Sequence, residues 1–495
     1  MSPEIGYDNN PSSSGGPLTG VILAAGRGGR AYPSSHCIPK ALMEVAGRPI
    51  IDRTIDIMTR QLGVSRIIVV IGHCGDQIVS HLSRRDFGVA FVFVEQKQIN
   101  GTGHALLMTE PYVGVAPFVV MLGDEFYSET NHDILLESDM SACAGVLMFK
   151  EEKDRHKITA NYTGEIRDRR VYALLEKPVN PGTGLMGVGT YLLTAKVFDY
   201  IRRTHPSDLR NEIELTDALS EMARREIVMA AMLSGIYVNV NNMDDLNRAN
   251  CLARTREFSQ KKVTVLIPAC NEEETIGGVI DEFGAYERAN EILVVDNNSN
   301  DRTREIAVKA GARVVTETRQ GYGYALRRGL EEATGDIIIV TEADGSFTAG
   351  DIPKFMEYLK DCDMVIGTRT TRQMIEQGAN MGTMVRWGNV LYGKIIEILW
   401  WGQEPRFTDV GCTYRALWKT SYEKIRPYLN ASGPEFSPEM MIAMLICRKR
   451  IIEIPVTYRK RLGGTSKHSG HFIPLARTAL KMMGMILKLK YRYCR

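Results

Sequence analysis

The chain has 495 residues, of which 44% are hydrophobic and 24% charged, and its formal net charge at pH 7 is +2. A chain of this length exceeds what one hydrophobic core usually supports, so we expect at least two domains. The nearly balanced charge offers no overall attraction to nucleic acid, and we expect no nucleic-acid partner. The nine cysteines form neither a CxxC pair nor a zinc-type cluster, which favours reduced thiols and a cytoplasmic location.

The first 17 residues differ in composition from the rest of the chain. Residues 1–17 are rich in Ser, Gly, Asn and Pro, and they lack the basic start and apolar stretch of a signal peptide. We predict that this N-terminus is disordered. The chain contains no run of about eighteen apolar residues, so we expect no membrane-spanning helix.

Each half of the remaining chain starts with an apolar strand followed by a loop of unusual composition. The strand at 19–25 runs into a glycine-rich loop, and the strand at 262–268 runs into a loop of Asn and Glu. Further apolar runs alternate with segments of helical periodicity in both halves. This alternation predicts an α/β fold with two doubly wound, Rossmann-like mixed sheets in tandem, over residues 18–255 and 256–470.

The glycine-rich loop of the first half is suited to holding a triphosphate. Glycines let backbone N–H groups approach phosphates, and arginines offset their charge, although a Gly/Arg turn is also an ordinary helix entry. Six further motifs follow in order along the chain. They are Pro39-Lys40, Gln96 with Gly101-Thr102, Leu122-Gly-Asp124, Glu176-Lys177-Pro178, Gly187-Val-Gly189 and Asp244-Asp245.

Through these motifs, residues 18–255 resemble the sugar nucleotidyltransferases, the family of glucose-1-phosphate and N-acetylglucosamine-1-phosphate uridylyltransferases. The resemblance implies that an NTP, with UTP expected, and a hexose 1-phosphate form an NDP-sugar on Mg²⁺ or Mn²⁺. It implies a nucleotide site of Leu23, Ala24, Gly26, Gly28, Gln96, Gly101 and Thr102. The catalytic residues would be Arg30, Lys40 and Asp124, the metal ligands Asp124 and Asp244, and the sugar-phosphate residues Glu176, Lys177 and Gly189. From the residues alone, Asp124 is equally suited to capping a turn.

Acidic and amide side chains follow the strands of the second half. The segment Pro268-Ala-Cys-Asn-Glu272 follows the first strand, and Asp296 ends the second. Carboxylate and amide oxygens accept hydrogen bonds from a base and a ribose, although such residues also make good turns. Glu342-Ala-Asp344 follows the apolar strand 337–340, and two oxygen ligands at a strand end suit Mg²⁺ or Mn²⁺ on a diphosphate.

With Gly367-Thr-Arg369 and the segments 409–415 and 435–439, residues 262–468 resemble the family 2 inverting glycosyltransferases that include dolichyl-phosphate mannose and polyprenyl-phosphate glucose synthases. The resemblance implies a GT-A fold that binds an NDP-sugar. It implies nucleotide contacts by Pro268, Asn271, Glu272 and Asp296 and metal binding by Glu342 and by the catalytic Asp344. Phosphate contacts would come from Arg369, Arg415 and Lys467.

Residues 471–495 are predicted to form a basic amphipathic helix. From residue 448 to the last residue, thirteen Lys and Arg stand against one acid, Glu453. Such a helix can lie on an anionic bilayer, but a core helix or a contact in a homo-oligomer also fits the pattern. The stretch 387–401, which ends in two tryptophans, fits either an interfacial anchor or plain core.

The sequence therefore predicts a bifunctional enzyme that makes an NDP-hexose and transfers the hexose to an acceptor. We expect a polyprenyl phosphate or related phospholipid acceptor at the cytoplasmic membrane face. An ionised phosphate needs no catalytic base, whereas a hydroxyl acceptor needs a carboxylate such as Asp409. A soluble acceptor stays open. Because Gly29, Asn297 and Glu342 depart from the family patterns, a non-catalytic binding role for one domain also stays open.

Overall fold

The computed structural model describes residues 18–26, 38–207, 211–377, 379, 382–463 and 472–493, with side chains of the last segment from residue 479 onward. The chain divides into two compact units, Met1–Ala253 and Arg254–Arg495. Among the residues described, no helix is both long enough and apolar enough to cross a bilayer.

The first unit is built on a mixed sheet. Its strands are β1 (Thr19–Ala24), β2 (Glu44–Val45), β3 (Arg48–Pro49), β4 (Arg66–Ile71), β5 (Ala90–Glu95), β6 (Phe118–Leu122), β7 (Glu125–Ser128), β8 (Gly145–Glu151), β9 (Tyr162–Arg167), β10 (Arg170–Glu176), β11 (Leu185–Leu193), β12 (Val228–Met232) and β13 (Ile236–Asn239). Its helices are α1 (Ile50–Asp56), α2 (Gly75–Ser83), α3 (Thr102–Leu107), α4 (Glu110–Val113), α5 (Arg155–Ala160), α6 (Lys196–Arg203), α7 (Leu215–Arg225) and α8 (Met243–Glu257) at the division.

The strand order of the main sheet is β5-β4-β1-β6-β11-β8-β12-β10-β9, with β13-β7 as a separate pair. β1 pairs in parallel with β4 and β6, whereas β11 runs antiparallel to β6 and β8. Val21 and Leu23 pack into one core layer and Ile22 and Ala24 into another. The central strand is therefore covered on both faces, which explains its uninterrupted apolar sequence.

The second unit repeats this plan with a seven-stranded sheet. Its strands are β14 (Val263–Ala269), β15 (Ala289–Asp296), β16 (Arg313–Thr316), β17 (Ile337–Val340), β18 (Met364–Thr368), β19 (Arg415–Trp418) and β20 (Ile451–Pro455). Its helices are α9 (Ile276–Gly284), α10 (Thr303–Lys309), α11 (Tyr322–Glu332), α12 (Ile352–Leu359), α13 (Thr383–Leu399), α14 (Lys419–Ile425), α15 (Phe436–Ile446) and α16 (Phe472–Tyr493).

The order of this second sheet is β16-β15-β14-β17-β19-β18-β20. β14 pairs in parallel with β15 and β17, and β19 runs antiparallel to β17 and β18. The prediction of two mixed α/β sheets in tandem, followed by a C-terminal helix, is confirmed. In both units the first strand is the third strand of its sheet and has a parallel neighbour on each side, so the loop that follows it leaves from inside the ligand-binding edge.

Candidate active sites

A cavity of about 500 Å³ in the first unit lies at the carboxyl ends of β1 and β6. These strands are parallel neighbours, and ligands of doubly wound sheets bind at this edge. The residues predicted for the nucleotide that line the cavity are Leu23, Ala24, Gly26, Gln96, Gly101 and Thr102. The predicted catalytic residues Lys40 and Asp124 line it too. Gly28 and Arg30 lie outside the described residues.

Lys40 and Asp124 form an ion pair in the wall of this cavity. Lys40 begins a 3₁₀ turn, and Asp124 follows β6 after one glycine. The Lys40 Nζ lies 3.1 Å from the Asp124 Oδ2, and the Asp124 side chain remains 33% exposed. A cation and a carboxylate held side by side are suited to bind a phosphate and a phosphate-bridging metal ion, respectively.

Asn241, and not the predicted Asp244, reaches the cavity beside Asp124. The backbone N–H of Val240 donates to the Asp124 carbonyl at 3.0 Å, and Asn239 and Asn241 on either side line the cavity. Asp244 lies in the first turn of α8 and is not among the described lining residues. Of these two residues, Asn241 is therefore the one that lines the cavity. The sequence signal for Asn241 was the pair Asn241-Asn242 shortly after β13, whereas the prediction chose Asp244, which follows that pair.

Gln96 and Gly101 form a tightly fitted corner of the cavity. The Gln96 Nε2 donates to the Gly101 carbonyl at 3.2 Å and lies 3.0 Å from the His104 Nδ1. Gly101 has φ 95°, and a Cβ there would lie 2.5 Å from the Ile213 carbonyl oxygen. Only glycine fits this position without strain. His104 therefore supports Gln96 rather than facing a substrate.

A second cavity of about 130 Å³ adjoins the first. The two cavities share a wall formed by Thr102, Leu122, Glu214, Asn239 and Asn241. The residues predicted for the sugar phosphate, Glu176, Lys177 and Gly189, all line the smaller cavity. Glu176 accepts a hydrogen bond from the Thr216 hydroxyl at 2.8 Å, and its other oxygen lies 3.5 Å from the Lys177 Nζ. These contacts fix a carboxylate and an ammonium group at one end of the paired cavities.

Glu125 is a residue of this site that sequence reasoning missed. Its fully buried carboxylate accepts hydrogen bonds from the hydroxyls of Tyr127 and Tyr237, the latter at 2.7 Å, and from the Gly189 N–H at 3.0 Å. Burial raises its pKa to about 7, a shift that the tyrosine hydrogen bonds oppose and the charge of Asp124 increases. Glu125 therefore joins β7, β11 and β13 beneath the smaller cavity, and the Gly189 N–H is not free for a ligand. Its position directly after Asp124 was the only sequence signal.

The second unit has a cavity of about 530 Å³ at the carboxyl ends of β14 and β17. The predicted residues that line it are Pro268, Glu272, Glu342 and Asp344. The other two predicted nucleotide residues, Asn271 and Asp296, are not among its described lining residues and instead hold neighbouring loops. Asp296 accepts from the Ser299 N–H at 3.2 Å, and Asn271 accepts from the Asn300 N–H at 2.8 Å. Lys467 lies outside the described residues.

Asp344, which is buried, and Glu342, which is half-buried, form an acid pair in this cavity. Glu342 accepts from the Thr413 hydroxyl at 2.8 Å, and Asp344 accepts from the Ser346 N–H at 3.0 Å. The Arg461 Nε lies 2.5 Å from the Asp344 Oδ2, a contact that balances charge but lacks hydrogen-bond geometry. Burial and then the charge of Asp344 raise the pKa of Glu342.

The acid pair fits a divalent cation, because carboxylate oxygens are the ligands that Mg²⁺ and Mn²⁺ prefer. The Asp344 Oδ2 would exchange its contact with Arg461 for the ion. In the part of the chain that the structure describes, no group of three or more His, Cys, Asp or Glu side chains is arranged to hold a metal ion. The pair would therefore supply two ligands, and the substrate or water the others. Arg461 also lines the cavity, although from the sequence it was recognised only as one of the basic residues after position 448.

Arg369 and Arg415, which were predicted to contact phosphate, bind the protein's own loop instead. The Arg369 guanidinium contacts both carboxylate oxygens of the fully buried Asp409, at 2.8 and 3.0 Å. Arg415 donates to the carbonyls of Cys412 at 2.9 Å and Ser437 at 2.6 Å, and burial lowers its pKa. Neither arginine is among the described residues that line the cavity. Both guanidinium groups are thus engaged in stabilising the segment 409–415.

Comparison with known proteins agrees with the division into two catalytic units. Residues 19–256 match the Nucleotidyl transferase family, and residues 264–419 match Glycosyl transferase family 2. The chain is 29% identical to the low-salt glycan biosynthesis nucleotidyltransferase Agl11 of Haloferax volcanii over 268 residues, 53% of this chain and 72% of that protein.

Two further relatives each correspond to less than half of the chain. The UTP–glucose-1-phosphate uridylyltransferase AglF of Haloferax volcanii is 27% identical over 238 residues, 47% of this chain and 95% of that protein. An uncharacterised glycosyltransferase of Mycobacterium bovis is 35% identical over 216 residues, 42% of this chain and 90% of that protein. As the motifs predicted, the chain has a nucleotidyl transferase domain over residues 19–256 followed by a glycosyl transferase family 2 domain, and by its second domain it belongs to the glycosyltransferases.

Proposed function

We propose that the first unit condenses a hexose 1-phosphate with a nucleoside triphosphate, UTP in the first instance, to give an NDP-hexose and pyrophosphate. A sugar-phosphate oxygen bonds to the α-phosphorus of the triphosphate as the bond from that phosphorus to pyrophosphate breaks. The observation that carries this proposal is the pair of adjoining cavities, one with Lys40 and Asp124 and the other with Glu176 and Lys177. Similarity to the uridylyltransferase AglF supports the choice of substrates.

Charge and position account for the proposed chemistry. The sugar phosphate is already ionised near neutral pH, so the site needs no general base. Lys40 offsets the negative charge that grows on the departing pyrophosphate. Asp124 and Asn241 would supply oxygens to Mg²⁺ or Mn²⁺, and the ion would add positive charge for the anionic substrates.

Synthesis is tested by incubating the protein with UTP, glucose 1-phosphate and Mg²⁺ and measuring pyrophosphate release. Asp124→Ala is expected to abolish release while leaving hexose transfer from supplied UDP-hexose intact, because the transferase cavity lies within the second unit. Asp139→Ala is the matched control, since that carboxylate is exposed and contacts only its local turn. Absence of pyrophosphate across a panel of triphosphates and sugar phosphates would contradict the proposal.

We further propose that the second unit transfers the hexose from the NDP-sugar to a polyprenyl phosphate at the cytoplasmic face of a membrane. The observation that carries this acceptor is the state of Asp409. Its carboxylate is fully buried and receives three hydrogen bonds from Arg369, so it is not available as the base that a hydroxyl acceptor requires. A phosphate acceptor attacks as an oxyanion, forms the new bond to the sugar, and releases the nucleoside diphosphate.

The acceptor is tested by offering UDP-[¹⁴C]glucose with either a polyprenyl phosphate in detergent or a polyprenol of the same chain. We expect label in the phosphate product alone and loss of that label in Asp344→Asn, since Asp344 would be a ligand of the divalent cation. Glu404→Gln, an exposed acid of the same unit, is the control. Equal transfer to the free alcohol would show that a base operates, and it would remove the reason for a phosphate acceptor.

A further inference from the structure

Helix α13 presents its apolar side to solvent. Four large exposed side chains recur at spacings of three, four and seven residues, which places them on one face of the helix. They are Met384, Trp387, Leu391 and Ile398. Trp401, which follows the helix, is 70% exposed. The side that packs into the unit instead contains Gly393 and Ile396. A helix of a globular unit normally has the opposite arrangement, so this face is a candidate contact surface.

Helix α16 adds a second apolar row with cations beside it. Leu480, Leu487 and Tyr491 are exposed on one side of the helix, while Ile486 and Leu489 are buried on another. Each member of the apolar row is followed by an exposed basic residue about 100° further around the helix. These residues are Lys481, Lys488 and Arg492. The row is therefore an apolar strip with a positively charged border.

The two helices pack against each other. The Tyr392 hydroxyl of α13 donates to the Ala479 carbonyl of α16 at 2.8 Å. The Lys490 ammonium group of α16 donates to the Leu399 carbonyl and lies 4.9 Å from the ring centre of Trp400. The exposed rows thus lie on two helices that contact each other, and together we call them the two-helix face. It comprises Met384, Trp387, Leu391, Ile398, Trp401, Leu480, Leu487 and Tyr491.

Helix α16 also reaches the transferase cavity. Met482 of α16 lines that cavity together with Glu342 and Asp344. Because Met482 lies about 200° around the helix from Leu480, α16 has the cavity on one side and its exposed row on the other. A membrane bound by the exposed row would therefore lie roughly one helix diameter, about 10–12 Å, from the helix side that lines the cavity.

We propose that the two-helix face docks on an anionic lipid bilayer. The inference deepens the proposed function and rests on it only for the acceptor. Charge selects the occupant: an apolar strip bordered by Lys481, Lys488 and Arg492 matches acyl chains next to anionic headgroups. Two tryptophans at the strip are typical of the bilayer interface. Two copies of the chain meeting face to face would bring like charges together, which disfavours a dimer.

Two acids lie near this charge border. Glu435 and Glu439 share a groove with Lys481 and Lys488. Glu439 accepts from the backbone N–H groups of the segment 430–431, and Glu435 accepts from the N–H of residue 433. Both carboxylates are held by the loop before α15 and offset part of the nearby positive charge, while Lys481, Lys488 and Arg492 are themselves exposed.

Flotation with lipid vesicles, without any substrate, tests the docking directly. We expect the full chain to float with phosphatidylglycerol-containing vesicles more than with pure phosphatidylcholine vesicles, and less at high salt. The double variant Trp387→Gln/Trp401→Gln is expected to lower the vesicle partition coefficient about tenfold or more. Lys481→Gln/Lys488→Gln should remove mainly the preference for anionic lipid. Val115→Gln, at a valine 94% exposed in the first unit, is the matched control and should bind as the parent does.

Tryptophan fluorescence supplies a second readout. The chain has four tryptophans, of which Trp387 and Trp401 are exposed while Trp400 and Trp418 are buried. Vesicles should shift the emission to the blue, and brominated lipid should quench it, in the parent but not in the double variant. Far-UV circular dichroism checks that each variant is folded.

The outcomes separate docking from the acceptor. Failure to bind vesicles, or binding that the tryptophan variant retains in full, overturns the docking. Self-association that the variant disperses, without vesicle binding, assigns the face to a second copy and also overturns it. Transfer to a short-chain, water-soluble prenyl phosphate needs no bilayer, so transfer without flotation would contradict the docking proposal alone. Flotation without transfer to any prenyl phosphate would contradict the proposed acceptor but not the docking proposal.

Discussion

Replacing Glu125 with glutamine should remove a pH dependence from the stability of the first unit. The folded protein holds this carboxyl with a pKa of about 7, against an ordinary value of 4.5, chiefly because of burial. Between these values the folded state keeps a proton that the unfolded state has lost. Stability contributed by this proton is complete below about pH 4.5 and is lost as the pH rises through about 7.

The size of the effect follows from the two pKa values. Each pH unit between them costs about 1.4 kcal/mol, so the free energy of unfolding falls by roughly 3 kcal/mol from mildly acidic to mildly alkaline pH. Glutamine has nearly the same shape but no proton to lose. The Tyr237 hydroxyl, now 2.7 Å from a carboxylate oxygen, can rotate to accept from the amide. Glu125→Gln should therefore match the parent near pH 5 and exceed it by up to about 3 kcal/mol near pH 8.

Urea unfolding can follow the two units separately. All four tryptophans lie in the second unit, so their fluorescence reports on that unit alone, whereas far-UV circular dichroism reports on both. Glu125→Gln should change the transition seen only by dichroism. Glu165→Gln, which removes a carboxylate whose side chain is 53% exposed, should change neither. An unchanged pH profile of the dichroism transition in Glu125→Gln would refute the reasoning.

Two further substitutions test the site walls. Gly189→Ala should raise the KM for hexose 1-phosphate more than the KM for UTP. The new Cβ would lie 2.4 Å from Leu122 and 2.7 Å from the Glu125 carboxylate, and such overpacking costs about 1–3 kcal/mol. Initial rates of pyrophosphate release measure both constants, and equal changes would count against the assignment of the smaller cavity to the sugar phosphate. Asp409→Ala should lower the free energy of unfolding of the second unit by about 3–5 kcal/mol, because it leaves the buried Arg369 guanidinium unpaired. Tryptophan fluorescence in urea measures this free energy, and pyrophosphate release should stay unchanged as the control. A change in the free energy of unfolding below about 0.5 kcal/mol would contradict the prediction.

The central strands could be predicted from the sequence because they are buried on both faces. β4 (Arg66–Ile71) and β17 (Ile337–Val340) coincide with apolar runs that the sequence displays without interruption. The pair β7 and β13 was not predicted. Its strands are four residues long and mix aromatic with polar side chains, and their pairing joins segments far apart in the chain. No local pattern carries that information.

The site was predictable where backbone and motif order determine it. Lys40 and Asp124 were expected at one site, and their ion pair spans 84 positions of the chain. Partner choice between charged side chains was not predictable. Arg369 is of a residue type that often binds phosphate, but its guanidinium forms an ion pair with Asp409, 40 positions later in the chain. The choice between Asn241 and Asp244 was not predictable either. Asn241 lines the cavity and Asp244 does not, because β13 ends at Asn239 and α8 begins at Met243.

The wall shared by the two cavities of the first unit has a kinetic consequence. Thr102, Leu122 and Asn241 line both cavities. If the two proposed substrates occupy the two cavities, each would complete the binding site of the other. Transfer would then take place in a ternary complex, without a covalent enzyme intermediate. The order in which the ligands enter then depends on which of them can bind to a compartment whose other side is still open.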